Sequence, residues 1–346
     1  MRRLPLPVLE ADAALCALQR RVATSRYLNP TNEPELRAAF AARKPLRPNY
    51  LPASWADEHL RALDRIRAPA DHPLGAVLRR AVVETRLWTL ALRDRTPAAF
   101  DAWGDAEGLR GAVDAPEPPA FPVRAVDSGR VGAAELARHL GEALGRRGYR
   151  RWRVELDPVM TARVLVDAPS TVVRVNTRAT CTPTELRALE AHEIDVHVAR
   201  AEAGARQPLK LFAHGLPGCL ATEEGLALHA EAEVAGLPEG VGTRLRLVAL
   251  AAERARDLGF TDLVRELAPA AGTSAAFGMA LRVKRGLAQP EAPGAYGKDR
   301  AYWLGLCRVS AYLRGGGRRE RLMVGKVGLD TPVDDWVREG WISLPG

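Results

Sequence analysis

The first hundred residues place apolar side chains at helical spacing. Leu15, Leu18 and Val22 recur at steps of three and four, the period of one helix face. Ser54 stands ahead of WADEHLRALDRIR as an N-cap. The stretch from Leu74 to Arg95 carries Val77, Leu78, Ala81, Val82 and Leu92 and predicts a long amphipathic helix. Thr96-Pro97 starts a shorter one, because proline suits the first helical position. The prolines of DAPEPPAFP (114–122) end this series and predict a linker. A helix follows near 133–147. The period then falls to two: RWRVEL, ARVLVD and TVVRVN are short β-branched runs that predict strands. From Thr182 onward helices return, with GLAQPEAPGAYG (286–297) as a loop. The pattern predicts an α+β fold, predominantly helical, with an N-terminal helical region 1–113, a linker 114–130 and a third region 131–346.

Composition narrows the class. The chain has 346 residues, 47% hydrophobic and 27% charged, a balance that supports a core of normal size. Four cysteines without paired spacing exclude a disulfide scaffold and a thiolate zinc finger. No apolar run has the ~18 residues of a spanning helix, and MRRLPLPVLEADAAL lacks the apolar stretch of a cleaved leader. The expectation is a cytoplasmic protein with no membrane partner. The net charge of +8 comes from arginines spread among acids, and the Ala/Arg bias is the one expected of a GC-rich genome, so a bacterial chain is expected. It predicts a solvated surface rather than a nucleic-acid footprint.

The chemistry concentrates after residue 181. Thr182, Pro183 and Glu185 form a capping-box pattern, and Gly204 suits the position after the last helical turn. His192, Glu193 and His197 therefore lie in mid-helix. Their spacing, H-E-x-x-x-H, is one residue longer than the zinc-binding H-E-x-x-H pattern. Five steps of about 100° would put His197 roughly 140° from His192 on a regular α-helix. A π-bulge, with i→i+5 bonding, realigns them, so a helix irregularity is predicted between Glu193 and His197. GCLATEEGLALHAEAEV predicts a second helix with Thr222 as N-cap. Glu223 and Glu224 in its first turn suit the helix dipole, and one of them can supply a third metal ligand. Glu224 and Glu231 are seven apart and share a face. His214 and His229 are alternative ligands.

These motifs resemble the zinc carboxypeptidase family that includes the microtubule-associated tyrosine carboxypeptidases and bacterial proteins known by a QEGLA motif. The resemblance rests on HEIDVHVAR (192–200), GARQPL (204–209), TEEGLA (222–227), LRVKRGLAQPEAPGAYGKDRAYWLGL (281–306), LMVGKV (322–327) and LNPTNEPELRAAF (28–40). It implies a zincin-like metallopeptidase with a small β-sheet beside the metal-binding helix, and a catalytic region 131–346 packed as one body with the N-terminal part. It further implies one Zn2+ held by His192, His197 and Glu224, with Glu193 as general base. The substrate would be a peptide or protein C-terminus losing an aromatic residue, tyrosine or phenylalanine. Glu223 stands where bacterial relatives often have glutamine, and Tyr296 where phenylalanine is usual.

A terminal carboxylate calls for a cation near the metal. Only five lysines occur, and three of them, Lys284, Lys298 and Lys326, fall in the family-like C-terminal motifs. Lys284 and Arg285 are the first candidates and Lys326 the second. Tyr302 or an arginine is the candidate oxyanion donor. Arg200, seven residues after Glu193, reads as a structural ion-pair partner. Two other functions fit the same residues. One is a non-enzymatic regulatory metal-binding module, since some bacterial relatives are named as modulators of flavohaemoglobin expression. The other is a metal-dependent amide hydrolase acting on a modified peptide.

Overall fold

A computed structural model describes residues 2–20, 24–109, 118, 120, 121, 129–158, 160, 162–236 and 239–345. Val22 and most of the 114–130 linker lie outside them. The fold is α+β and mostly helical, at 61%. Its contacts form two compact units: Pro5–Ala115 with Thr243–Leu304, and Met1–Leu4 with Pro116–Gly242 and Gly305–Gly346. The chain changes unit at Ala115/Pro116, within the proline-rich segment, but the region after it is not one unit, because residues 243–304 group with the N-terminal helices. The reason is the core. Leu36 and Leu46 bury against Phe260, Leu263, Phe277 and Val283 of the later segment. Phe40, Phe260 and Phe277 meet edge to face at centroid distances of 5.2–5.9 Å.

The N-terminal helices run Leu6–Gln19, Pro73–Asp94 and Pro97–Ala106 among others. The Thr96 hydroxyl caps the last of these through Ala99 N–H. Ser54 does not cap its helix: Ala56–Leu63 starts after Trp55, with no side-chain cap.

The other unit contains the strands. Val131–Gly132 (β1) pairs antiparallel with Thr180–Cys181 (β5). Arg153–Asp157 (β2), Val164–Asp167 (β3) and Val172–Asn176 (β4) form a sheet in the order β2-β4-β3, with β2 parallel and β3 antiparallel to β4. Central β4 reads VVRVN, and its four non-arginine side chains are buried, as a strand covered on both edges requires. The inner residues Val164, Val173 and Val175 join a core with Leu136, Leu140 and Ala143 of the Ala133–Arg146 helix and with Ile194, Val198 and Ala201. The sheet therefore supports the segment that carries His192 and His197.

A second core lies on the other side of that segment. Ala191 and Val196 bury against Leu226, Ala227 and Ala230 of the Leu220–Ala235 helix, together with Val309 and Leu322. The Leu220–Ala235 helix meets the Arg300–Arg314 helix at two glycines. A Cβ on Gly225 would stand 2.1 Å from the Gly305 carbonyl carbon, so neither position has room for a side chain.

This crossing yields a prediction. Gly225→Ala should cost about 3 kcal/mol or prevent folding. Gly141→Ala, in mid-helix with only an ordinary contact to Val154, should add about 0.5–1 kcal/mol. Denaturant unfolding of both variants checks it, and equal effects would contradict the close helix approach.

Candidate metal centre

The helix that carries the histidines changes register. Thr182 closes a capping box with Glu185, and an α-helix runs Pro183–Leu189. Residues Glu190–Val198 are then π-helical, before α-helix resumes at Ala199–Ala205. The expected irregularity is present and is longer than a single bulge. With i→i+5 bonding, His197 comes round beneath His192, and the two imidazole centroids lie 4.9 Å apart. One ligand atom from each of His192, Glu193 and His197 fits within 4.8 Å of the others.

The second ring nitrogens define which atoms are left for an ion. His192 Nδ1 lies 3.0 Å from Glu231 Oε2, and His197 Nδ1 lies 2.7 Å from Glu223 Oε1. A carboxylate only accepts, so each Nδ1 carries a proton, and in the neutral imidazole that an ion would bind Nε2 presents the lone pair. This carboxylate–imidazole arrangement orients histidines toward a metal and raises their basicity. Glu224 approaches from the Leu220–Ala235 helix, with Oε2 3.9 Å from His197 Nε2. Glu193 is buried, and among the described residues its carboxylate has no hydrogen-bond partner. Burial pushes the His192 imidazole down, but the Glu231 hydrogen bond and the charges of Glu193, Glu231 and Glu224 raise it to about 9. The surround is anionic, as a cation site requires.

Glu223 is held by more than His197. Its Oε1 also forms an ion pair with Lys326 Nζ at 3.0 Å, and its Oε2 accepts from Arg200 Nη1. Burial pushes the carboxyl up, yet Lys326, Arg200 and His197 hold it well below the usual carboxylate range. Arg200 is fully buried. Its Nε donates to Leu322 O and Gly325 O, at 2.9 and 3.0 Å, and its Nη2 donates to Val327 O at 2.6 Å. Gln207 adds a bond to Val324 O at 3.1 Å. The 322–327 strap is thus sewn to the histidine-bearing helix through its carbonyls, and it delivers Lys326 to Glu223. Arg200 is the structural partner that its position suggested.

The structure corrects several expectations. Thr222 is not an N-cap: the helix begins at Leu220, and the Thr222 hydroxyl accepts from Leu329 N–H instead. Gly204 lies inside its helix, where a Cβ would stand 2.2 Å from Phe212 O. Lys284 is not available for a carboxylate. Its ammonium donates to Ala255 O, Leu258 O and Ala292 O at 2.9, 2.6 and 2.7 Å, which uses all three protons. Burial pulls its pKa down to about 8, with Glu291 acting against it. Arg285 bonds buried Asp299 at 3.3 Å and sits 4.9 Å from the Tyr296 ring centroid. The Arg282 guanidinium lies 5.7 Å from the Tyr302 ring. Lys284, Arg285 and Tyr302 belong to the unit built from 5–115 and 243–304. His229 is engaged by Ser310 at Nδ1, 2.9 Å, and by Glu233 at Nε2, 3.4 Å. His214 ends the short Leu211–His214 helix and is outside the ligand group, as is Glu224, whose Oε2 stands 3.9 Å from His197 Nε2. The roles of Glu223 and Glu231 as imidazole partners were not read from sequence. Their only signals were the shared face of Glu224 and Glu231 and the acidic first turn.

Two histidines presented through Nε2 within an acidic pocket define a candidate mononuclear metal centre. Residues 119–345 match the family model described as microtubule-associated tyrosine carboxypeptidase, and the chain belongs to that family. No curated protein matches the chain. Among the described residues, no helix is long and apolar enough to cross a membrane.

The buried charges make testable demands. Arg200→Met should destabilise the protein by about 3–5 kcal/mol, because Glu223 loses a partner and three strap carbonyls lose a donor. Lys284→Met should cost about 2–4 kcal/mol by orphaning three carbonyls. Urea unfolding reads both; a loss below about 1 kcal/mol for Arg200→Met would contradict its role in joining the strap to the histidine-bearing helix.

Proposed function

We propose that this protein is a zinc-dependent carboxypeptidase, with a zincin-like active site, that removes a C-terminal aromatic residue from a peptide or protein. The observation that carries the reading is the pair of Nδ1–carboxylate contacts, which leave His192 Nε2 and His197 Nε2 for one ion. Membership in a family named for tyrosine carboxypeptidase activity supports the reaction and tyrosine as the residue removed; phenylalanine is proposed beside it as the other ring of similar shape. The donor set suits zinc: two imidazoles and the Glu224 carboxylate are the three protein ligands of a catalytic site with one open position.

When bound, zinc supplies Lewis-acid polarisation of a carbonyl and a lowered pKa for water. The residues of the chain do the remaining work. Glu193, buried and without a hydrogen-bond partner among the described residues, takes a proton from the attacking water and passes it to the departing amine. Glu223 and Glu231 keep the imidazoles in the tautomer that points Nε2 inward. Lys326 is the candidate cation that contacts the carboxylate holding His197. Its ammonium is paired with Glu223 and still has N–H groups for the terminal carboxylate of the substrate.

The test uses peptides ending in tyrosine or phenylalanine, with free or amidated C-termini. Wild type should carry about one zinc per chain and cleave only the free acids. Glu193→Gln should keep zinc and lose about 10²–10⁴-fold in kcat. Glu224→Gln should lose zinc. Full activity of Glu193→Gln would remove Glu193 as the base. Equal cleavage of amidated peptides would argue for an amide hydrolase, and zinc binding without turnover for a regulatory module.

A further inference from the structure

The π segment carries an acidic pair with the same spacing as its histidine pair. Glu190 and Asp195 are five residues apart, as are His192 and His197. On a regular α-helix each pair would diverge by about 140°. With i→i+5 bonding the members of each pair share a face. Two residues, about half a turn, separate the acids from the histidines, so the acids lie on the far side of the helix from the metal ligands.

One guanidinium spans the acidic pair. Arg147 follows the Ala133–Arg146 helix, and its Nη2 lies 2.8 Å from Glu190 Oε1 and 2.9 Å from Asp195 Oδ2. Its Nε also donates to Asp195 Oδ1, and its Nη1 donates to Ala143 O at 3.3 Å. The Arg147 side chain is three-quarters buried, at 25% exposure. Arg146 and His139 contact the same Glu190 at 3.0 and 2.5 Å. None of the hydrogen bonds of Arg147 among the described residues reaches His192, Glu193, His197 or Glu224.

We propose that Arg147 is a positioning residue that selects the π register of Glu190–Val198, by bridging Glu190 and Asp195 with one guanidinium, and so holds His192 and His197 against one ion. This rests on the reading of the two histidines as metal ligands. The bridge is specific to one register. In an α-helical register the five-residue spacing swings Asp195 away from Glu190, and Arg147 keeps one partner or the other. An interaction made in one of two states shifts the equilibrium by its full differential free energy. The contact to Asp195 uses two nitrogens and two oxygens, the fork geometry that only arginine provides. Arg151 makes a superficially similar ion pair with Glu202, 2.7 Å, one segment further along the same helix run. It bridges no five-residue pair and serves as the control.

The experiment measures the zinc affinity of the metal-free full-length protein by competition with a chelator, with cobalt absorption as a reporter of ligand geometry. Arg147→Met and Asp195→Asn should each lower zinc affinity about five- to tenfold and weaken the cobalt d–d bands, less than the about 10–100-fold of groups that bond a ligand directly, because Arg147 touches none. The double variant should be no worse than Arg147→Met alone, because both changes remove one clamp. Arg151→Met should shift affinity by less than about twofold. A merely structural role would lower the thermal stability of the metal-free protein and leave zinc affinity intact; that outcome overturns the proposal. If Arg147→Met does not fold, the near-isosteric Asp195→Asn carries the test alone. His192→Ala and His197→Ala separate the two levels. If they leave zinc affinity unchanged, the metal-site reading and the clamp both fall. If they abolish it while Arg147→Met and Asp195→Asn do nothing, the clamp alone is overturned.

Discussion

Five residues separate His192 from His197, and a regular α-helix cannot turn both toward one point. Everything else in the strand-bearing unit accommodates that constraint. The chain answers with nine residues of π-helix rather than one bulge. Such a segment packs its backbone less favourably than an α-helix and needs support from outside. It is enclosed on two sides. Ile194 and Val198 bury against the three-stranded sheet, and Ala191 and Val196 against the Leu220–Ala235 helix. Apolar burial holds the segment in place, and the polar contacts around it distinguish one register from another.

The electrostatics follow from how deeply the site is buried. A carboxylate that orients His197 has to remain charged in a low-dielectric interior, and Glu223 does so between Lys326 and Arg200. Arg200 in turn would be costly to bury unless its donors were satisfied. The strap carbonyls of Leu322, Gly325 and Val327 satisfy them. Gly325 is required where the strap passes Phe212: its φ is +153°, and a Cβ there would meet Phe212 O at 2.9 Å. Glu231, with a side chain 37% exposed, holds His192, and among the described residues no cation brackets it as Lys326 and Arg200 bracket Glu223.

Much of this was legible in the residues. Strands at 153–157, 164–167 and 172–176 follow from short β-branched runs, and the helix over 133–146 from its apolar period. The π segment was legible because the ligand spacing conflicts with 3.6 residues per turn, and a conflict between local pattern and required geometry is itself a signal. Lys284 misled for a physical reason. A rare lysine beside a family-like motif suggests a substrate cation, but sequence does not reveal three converging carbonyls. The grouping of 243–304 with the N-terminal helices was hidden as well. Prolines mark where a helix stops, not which cores its neighbours join. The bridge from Arg147 to Glu190 and Asp195 spans more than forty residues and left no local trace.

The central claim is that the π register brings His192 and His197 to a single metal ion. A zinc-edge anomalous difference map from crystals of the zinc-loaded protein tests it most directly. The expected result is one peak per chain, about 2.0–2.1 Å from His192 Nε2 and His197 Nε2 and about 2.0–2.2 Å from a Glu224 oxygen. A peak bound by other residues, or one that touches a single histidine of the pair, would contradict it.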